Sequence, residues 1–261
     1  MTRRGVGKLE VPPTRTSTSG FRLPGAVRET VLVTGSAGRV ARLVAPRLRE
    51  EFRLRRLDVV PQSPEGDDEL VQADARDVDA VRSACAAVKA VIHLAGQPAE
   101  ADFRTVLLPK NLDATWAVYE AAVLAEVPRF VFASTVQTVE GFGPGVVVGR
   151  DDPPRPISVY GCTKLFGEAL GRFHADRSGL GVACLRLGAV RAPEDPGLAA
   201  GGTIRDLWVG ADDLAALIIA AVRSEVPFAT VIAVSPPATT RFDTANPFDW
   251  TPVQRPSPGA S

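Results

Sequence analysis

The stretch Val31-Leu32-Val33-Thr34-Gly35-Ser36-Ala37-Gly38-Arg39-Val40-Ala41 decides the fold. It reads as a buried strand ending near Val33, a tight turn, and a helix opening at Arg39 and Val40. Gly35 permits a turn that a residue with a Cβ would resist. Gly38 lets a phosphate approach the backbone beside Ala37. Ala41 is small enough for the new helix to pack close to the strand. Amide groups at such a helix start hold a pyrophosphate. A glycine turn alone fits an ordinary strand-turn-helix equally well, so its neighbours matter. Asp58 closes a second apolar strand, Phe52 to Val60. A carboxylate there accepts hydrogen bonds from ribose hydroxyls and repels a 2′-phosphate, which favours NAD over NADP. Its competing reading is a solvated loop residue.

Outward from this stretch the chain alternates strands and helices, the pattern of an α/β protein with a Rossmann-type, doubly wound parallel sheet. A first helix is expected over 39–50, with Pro46 kinking or shortening it. A short strand at 70–72 leads to Asp74 and Ala75, expected beside an adenine, and Asp77 is expected to cap a helix over 78–88. The fourth strand, 90–94, runs into Leu94-Ala95-Gly96-Gln97, where small residues let a dinucleotide lie against the backbone. His93 is expected to pack in the strand end. A long helix covers 103–125, with Pro109 early in it as a point where it could divide, and Asn111 on it. Strand 129–133 ends in Ser134-Thr135, strand 181–187 follows, Asp212 or Asp213 caps a helix to about 222, and a last strand covers 230–234. Residues 1–28 read as a disordered arm. Residues 29–255 read as one nucleotide-binding domain whose small C-terminal substrate lobe is formed mainly by 136–156 and 188–210, and 256–261 as a flexible tail.

The chain has 261 residues, 45% of them apolar, with 30 basic and 30 acidic side chains. That supports a sizeable core, and the balanced charge gives no global field for nucleic acid or an anionic membrane. No run reaches the ~20 apolar residues of a membrane span, and the N-terminus lacks the apolar segment of a secretory signal. Three cysteines without a CxxC pair suit a reducing cytoplasm. The two histidines lie far apart, so no metal site is expected.

Tyr160 and Lys164 stand four apart on a predicted helix and share one face. A free tyrosine, with a pKa of about 10, is a poor base at neutral pH. A nearby ammonium and the positive nicotinamide ring favour its phenolate, so that Tyr160 takes a proton from a substrate hydroxyl as hydride leaves carbon. The Thr135 hydroxyl would orient that oxygen, and Lys164 would reach the nicotinamide ribose. The same spacing also occurs on ordinary solvated helices; its position after a dinucleotide turn and a Ser-Thr strand end favours chemistry.

Thr34 to Ala41, His93-Leu94-Ala95-Gly96, Asn111, Ser134-Thr135 and Tyr160-Gly161-Cys162-Thr163-Lys164 together resemble the extended short-chain dehydrogenase/reductase superfamily, also called the NAD-dependent epimerase/dehydratase family. Arg129 to Ser134, Asp152-Pro153-Pro154-Arg155-Pro156, Cys184 to Gly188, Asp212-Asp213 and Asn246 to Pro252 are similar to uronate dehydrogenases within it. The resemblance implies NAD-driven oxidation of a cyclic uronic acid at its anomeric carbon, giving a lactone. It implies cofactor contacts at Gly35, Ala37, Gly38, Arg39, Val40, Asp58, Asp74, Ala75, Leu94, Ala95, Gly96, Asn111, Tyr160 and Lys164. Catalytic roles fall on Thr135, Tyr160 and Lys164, and substrate contacts on Gln97, Ser134, Thr135, Gln137 and Arg191. It also implies a homodimer through helices 103–125 and 158–175, with Trp116, Tyr119 and Phe166 on the apolar face; the same residues fit the core equally well. The chain departs from the uronate pattern at Ser134-Thr135-Val136-Gln137, where those enzymes carry Ser-Ser-Asn-His. Its Arg191 is followed by Glu194 and Asp195, which would repel a carboxylate. A different sugar, a polyol or another hydroxylated metabolite therefore stands beside uronate as substrate. Two further readings remain: a sugar-nucleotide epimerase or dehydratase with tightly held NAD, and a non-catalytic NAD sensor.

Overall fold

The computed structural model describes residues 28–257 except 144, 199–203 and 237. Seven parallel strands form one sheet in the order β3-β2-β1-β4-β5-β6-β9. In chain order these are β1 (Thr30–Thr34), β2 (Arg53–Asp58), β3 (Glu69–Gln72), β4 (Ala90–His93), β5 (Arg129–Thr135), β6 (Gly181–Leu187) and β9 (Phe228–Ala233). Two short strands, β7 (Ala189–Arg191) and β8 (Trp208–Gly210), pair with each other outside the sheet. The central strands are nearly continuous apolar runs, as burial on both faces demands: Val31, Leu32, Ala90, Val91 and Ile92 are fully buried.

Helices α1 (Arg39–Glu51) and α5 (Ala211–Arg223) cover one face, where Val44, Leu48, Leu214 and Ile218 join the core. Helices α2 (Val78–Ala84), α3 (Ala114–Leu124) and α4 (Val159–Ser178) cover the other, with Val81, Val118 and Tyr119 inside. The strand order reverses between β1 and β4. In a doubly wound sheet the crevice at that switch is where a nucleotide binds.

Several expectations are corrected. Helix α1 runs unbroken through Pro46, which sits on its exposed face, so the carbonyl it leaves unpaired is on the solvent side. Helix α2 stops at Ala84, and Ala87 then adopts a left-handed turn (φ 55°). The long helix is two: Phe103–Asp113 is wound as a wide π-helix before α3 begins. There the Leu107 and Ala114 amides reach back five residues, to the carbonyls of Asp102 and Pro109. The wider winding accommodates Pro109, which has no amide of its own to give. Neither Asp212 nor Asp213 caps α5. The buried Asp213 carboxylate instead accepts from the Ser235 hydroxyl (2.6 Å) and from the amides of Val253 and Gln254, while Gln254 Oε1 accepts from the Asp212 and Asp213 amides.

The segments after β5 and β6 pack onto the C-terminal stretch. Val136, Val139 and Val148 form an apolar cluster with Val234 and Phe242, and Val148 bridges to Phe242 through the backbone. Of the arm expected at 1–28, all but Arg28 lies outside the described residues. Within the tail expected to be flexible, Pro256 is buried and the Ser257 amide donates to the Pro193 carbonyl (2.8 Å). Residues 258–261 lie outside the description.

Candidate active site

A groove of about 430 Å³ runs along the carboxyl ends of β1, β2 and β4. Gly35, Gly38, Asp58, Asp74, Ala75, Leu94, Ala95 and Gly96 line it. Gly35 has φ +69°, and a Cβ on it would meet the Ala95 amide nitrogen at 2.5 Å. No other residue type leaves the β1 turn this close to the β4 loop. Gly38 precedes α1 in extended conformation, with no side chain capping the helix and no acidic residue in its first turn. The helix start thus keeps its donors and its partial positive charge for an anion. The Asp58 carboxylate is fixed by two amides, Ala37 to Oδ2 (2.9 Å) and Val60 to Oδ1 (3.0 Å). Arg55 and Arg56 do not offset it. Arg55 pairs with Glu69 (2.5 Å), and Arg56 is held by Gln62 (2.6 Å) and Asp68 (3.2 Å). A glycine cradle, a helix start without a cap and a ribose-facing carboxylate fit a dinucleotide with a free 2′-hydroxyl. Thr105, Pro109 and Lys110 of the π-helix close the groove. Sequence reasoning did not reach them, because no local signal marks a π-turn. Arg39 is exposed at the first position of α1, and Val40 packs against the core. Asp74 is held by Arg76 at 2.6 Å, which keeps its carboxyl below the usual range.

The groove ends at Gly96, whose Cβ position lies 3.6 Å from Lys164 Nζ. Here α4 enters. Ser158 caps it by accepting from the Gly161 amide (2.9 Å), and the Glu100 carboxylate accepts from the Tyr160 amide (2.9 Å). Tyr160 and Lys164 are both buried, with the ammonium 6.0 Å from the Tyr160 ring centroid and 5.1 Å from that of Phe132. Burial pushes the Tyr160 phenol up to about 12, and its hydrogen bond with Thr135 pulls it the other way. Burial lowers Lys164 to about 8, so it still carries its charge at neutral pH. Thr135, Tyr160 and Lys164 therefore converge at one end of the groove. His93 is core: its ring lies 2.7 Å from the Thr34 hydroxyl and 3.3 Å from that of Thr115, and burial lowers it to about 3, a neutral imidazole.

Other candidates stand behind this surface. Asn111 is 1% exposed, and its amide is spent on the backbone of Gln97 (2.7 and 3.2 Å) and on the Thr163 hydroxyl (3.0 Å). It stitches the β4 loop to α4 rather than facing the groove. Ser134 points away from Thr135, as neighbours on a strand must, and donates to Glu168 at 2.5 Å. The Gln137 side-chain oxygen accepts from Ser158 (2.6 Å). Arg191 faces Asp195 at 3.5 Å. Tyr119, open to an interface or a core role from the sequence, is core: it is fully buried and stacked on Phe130.

The model of the NAD dependent epimerase/dehydratase family matches residues 31–207. The chain belongs to this family. Among its relatives, an L-arabinose 1-dehydrogenase (NAD(P)(+)) of Haloferax volcanii is 34% identical over 76% of this chain and 84% of its own length. A uronate dehydrogenase of Agrobacterium fabrum is 35% identical over 75% and 72%. The crystal structure of a uronate dehydrogenase from Agrobacterium tumefaciens superposes with a TM-score of 0.78 at 31% identity, covering 87% of this chain and 85% of that one. A mutant of the Agrobacterium tumefaciens enzyme, complexed with NAD, gives 0.78 at 30% identity over 88% and 86%. As a member of the epimerase/dehydratase family the chain is an NAD-dependent enzyme with a Rossmann-like sheet. Among the described residues no helix is long and apolar enough to cross a membrane, and no cluster of His, Cys, Asp and Glu could hold a metal.

Proposed function

We propose that this enzyme oxidises a cyclic sugar hemiacetal at its anomeric carbon, forming the lactone. The observation that carries the proposal is the convergence of Thr135, Tyr160 and Lys164 where the groove meets Gly96. Bound NAD supplies the hydride acceptor. Thr135 holds the anomeric hydroxyl toward Tyr160. The Tyr160 phenolate takes the hydroxyl proton as the anomeric C–H bond breaks and the C=O bond forms. The Lys164 ammonium, 6.0 Å from the Tyr160 ring centroid, favours the charged phenolate and would hold the ribose of the nicotinamide. Gln97, next to Gly96, offers its side chain to the sugar, whereas Gln137 and Arg191 would have to leave Ser158 and Asp195 to reach it. Relatives named for L-arabinose and for uronates support a sugar as the substrate class.

The test is NADH formation with a panel of aldoses and uronic acids, L-arabinose and galacturonate included. Turnover that Tyr160→Phe abolishes is expected. Turnover that survives in Tyr160→Phe would overturn the role of Tyr160. The exposed Phe103, Leu108, Trp116 and Phe166 support a homodimer across the π-helix, α3 and α4. Light scattering is expected to give twice the mass of one chain.

A further inference from the structure

Directly behind Thr135, Tyr160 and Lys164 lies a buried ion pair that the proposed chemistry leaves unused. Glu168 stands one helical turn beyond Lys164 and two beyond Tyr160 on the same stripe of α4. Its carboxylate receives Arg186 of β6 through two nitrogens, Nε at 3.0 Å and Nη2 at 2.9 Å. The Ser134 hydroxyl of β5 donates to the same carboxylate at 2.5 Å. The remaining guanidinium nitrogen, Nη1, donates to the Arg150 carbonyl (3.3 Å) in the segment between β5 and α4. All three residues are at most 7% exposed. One ion pair thus joins β5, α4, β6 and the connecting segment.

A buried ion pair is seldom the more stabilising choice, because desolvation offsets the attraction, and well-packed apolar side chains serve as well. What it adds here is direction. A bidentate guanidinium–carboxylate pair accepts one relative placement of its elements, whereas apolar contacts tolerate sliding. Ser134 is the chain neighbour of Thr135, and Glu168 is one turn from Lys164. Fixing Ser134 to Glu168 therefore fixes the Thr135 hydroxyl relative to the Tyr160 phenol.

We infer that Glu168 and Arg186, with Ser134, are positioning residues that set the Thr135 hydroxyl against the Tyr160 phenol and hold the 136–157 segment beside them. This rests on the dehydrogenase reading for its effect on rate, but not for its effect on Tyr160. The Thr135 hydrogen bond lowers the phenol against the upward push of burial. Loosening the network weakens that bond, and Tyr160 then gives up its proton only at higher pH.

The experiment uses the full chain with its tyrosines labelled at ¹³Cζ. With only two tyrosines in the sequence, Tyr160→Phe assigns the resonances. The test variant is the apolar pair Glu168→Leu/Arg186→Met, and Thr135→Ala marks where the Tyr160 resonance lies without its partner. In the apolar pair the Tyr160 resonance is expected to move to the Thr135→Ala position. With a sugar substrate, kcat is expected to fall by about 100-fold, the scale of a 1 Å misplacement, and its acid limb to move to higher pH. The affinity for NAD stays as it was. A Tyr160 resonance at its wild-type position overturns the inference. Should the apolar pair fail to fold, Ser134→Ala, which removes one hydroxyl, is read by the same resonance and the same criterion. A wild-type protein that turns over no sugar would end the proposed function and leave the resonance test standing.

Discussion

The two ends of the catalytic crevice are built by different means. At the cofactor end the walls are backbone: Gly35 against Ala95, the start of α1, and the Asp58 carboxylate held by amides two residues and one loop away. Beyond Tyr160, toward the end proposed for the sugar, the supporting contacts are side chains pinned by partners distant in sequence. Arg186 reaches Glu168 and Arg150, Asp213 reaches Gln254, and Val148 meets Phe242. A backbone cradle accepts one invariant ligand and resists change. A side-chain wall can be rebuilt without touching the sheet. One family can therefore keep one cofactor while its members are named for different sugars.

The largest break in this comparison comes where the two ends meet. Tyr160→Phe removes the proton acceptor and is expected to lower kcat by about 10²- to 10⁴-fold. NAD affinity, read from tryptophan fluorescence, should not change. Gly35→Ala attacks the cradle alone. Its positive φ and the 2.5 Å approach to Ala95 leave no room, so NAD binding is expected to be lost in a calorimetric titration. Gly143→Ala, at the sugar end where nothing lies within 4 Å, should bind NAD as the wild type does.

Asp213→Ala breaks the other end. It strands the fully buried Ser235 hydroxyl, at a cost of about 1–3 kcal/mol for a donor left buried and unpaired, and releases the amides of Val253 and Gln254. Thermal unfolding is expected several degrees lower, and the KM for sugar is expected to rise more than that for NAD. If both rise equally, the two ends are not built separately.

Smaller effects sharpen the contrast. Thr135→Ala removes the bond that opposes the upward push of burial on the Tyr160 phenol, which already stands at about 12. The acid limb of sugar oxidation should therefore move to higher pH, which a kcat profile from neutral to alkaline pH would register. Asp58→Asn keeps the acceptor geometry and removes the charge that repels a 2′-phosphate. The preference for NAD over NADP is expected to narrow by about tenfold, about 1.4 kcal/mol, in the ratio of the two kcat/KM values.

What could be read in the sequence follows the same division. Val31 to Ala41 was legible because a turn at positive φ and a helix start are local chemistry. Tyr160 and Lys164 were legible because one helical turn joins them. Asp213 was misread as a cap because its true partners lie about forty residues on, and Ser134 was misread because its neighbour Thr135 faces the opposite way. Pro109 marked a disturbance in the long helix but not its form, since a π-turn needs the tertiary setting to be preferred over α. Glu168 left a faint trace: a carboxylate two turns after Tyr160 on the stripe facing the sheet, where a charge demands a partner.

The closure of Gln254 onto the start of α5 also bears on how the protein is made. Seven strands can assemble as the ribosome delivers them, but Asp213 has no backbone donors from Val253 and Gln254 until those residues have emerged. During synthesis the sheet and its nucleotide cradle are complete before the start of α5 can be closed. A nascent chain stalled before Val253 would be arrested with the Asp213 carboxylate still waiting for two of its donors.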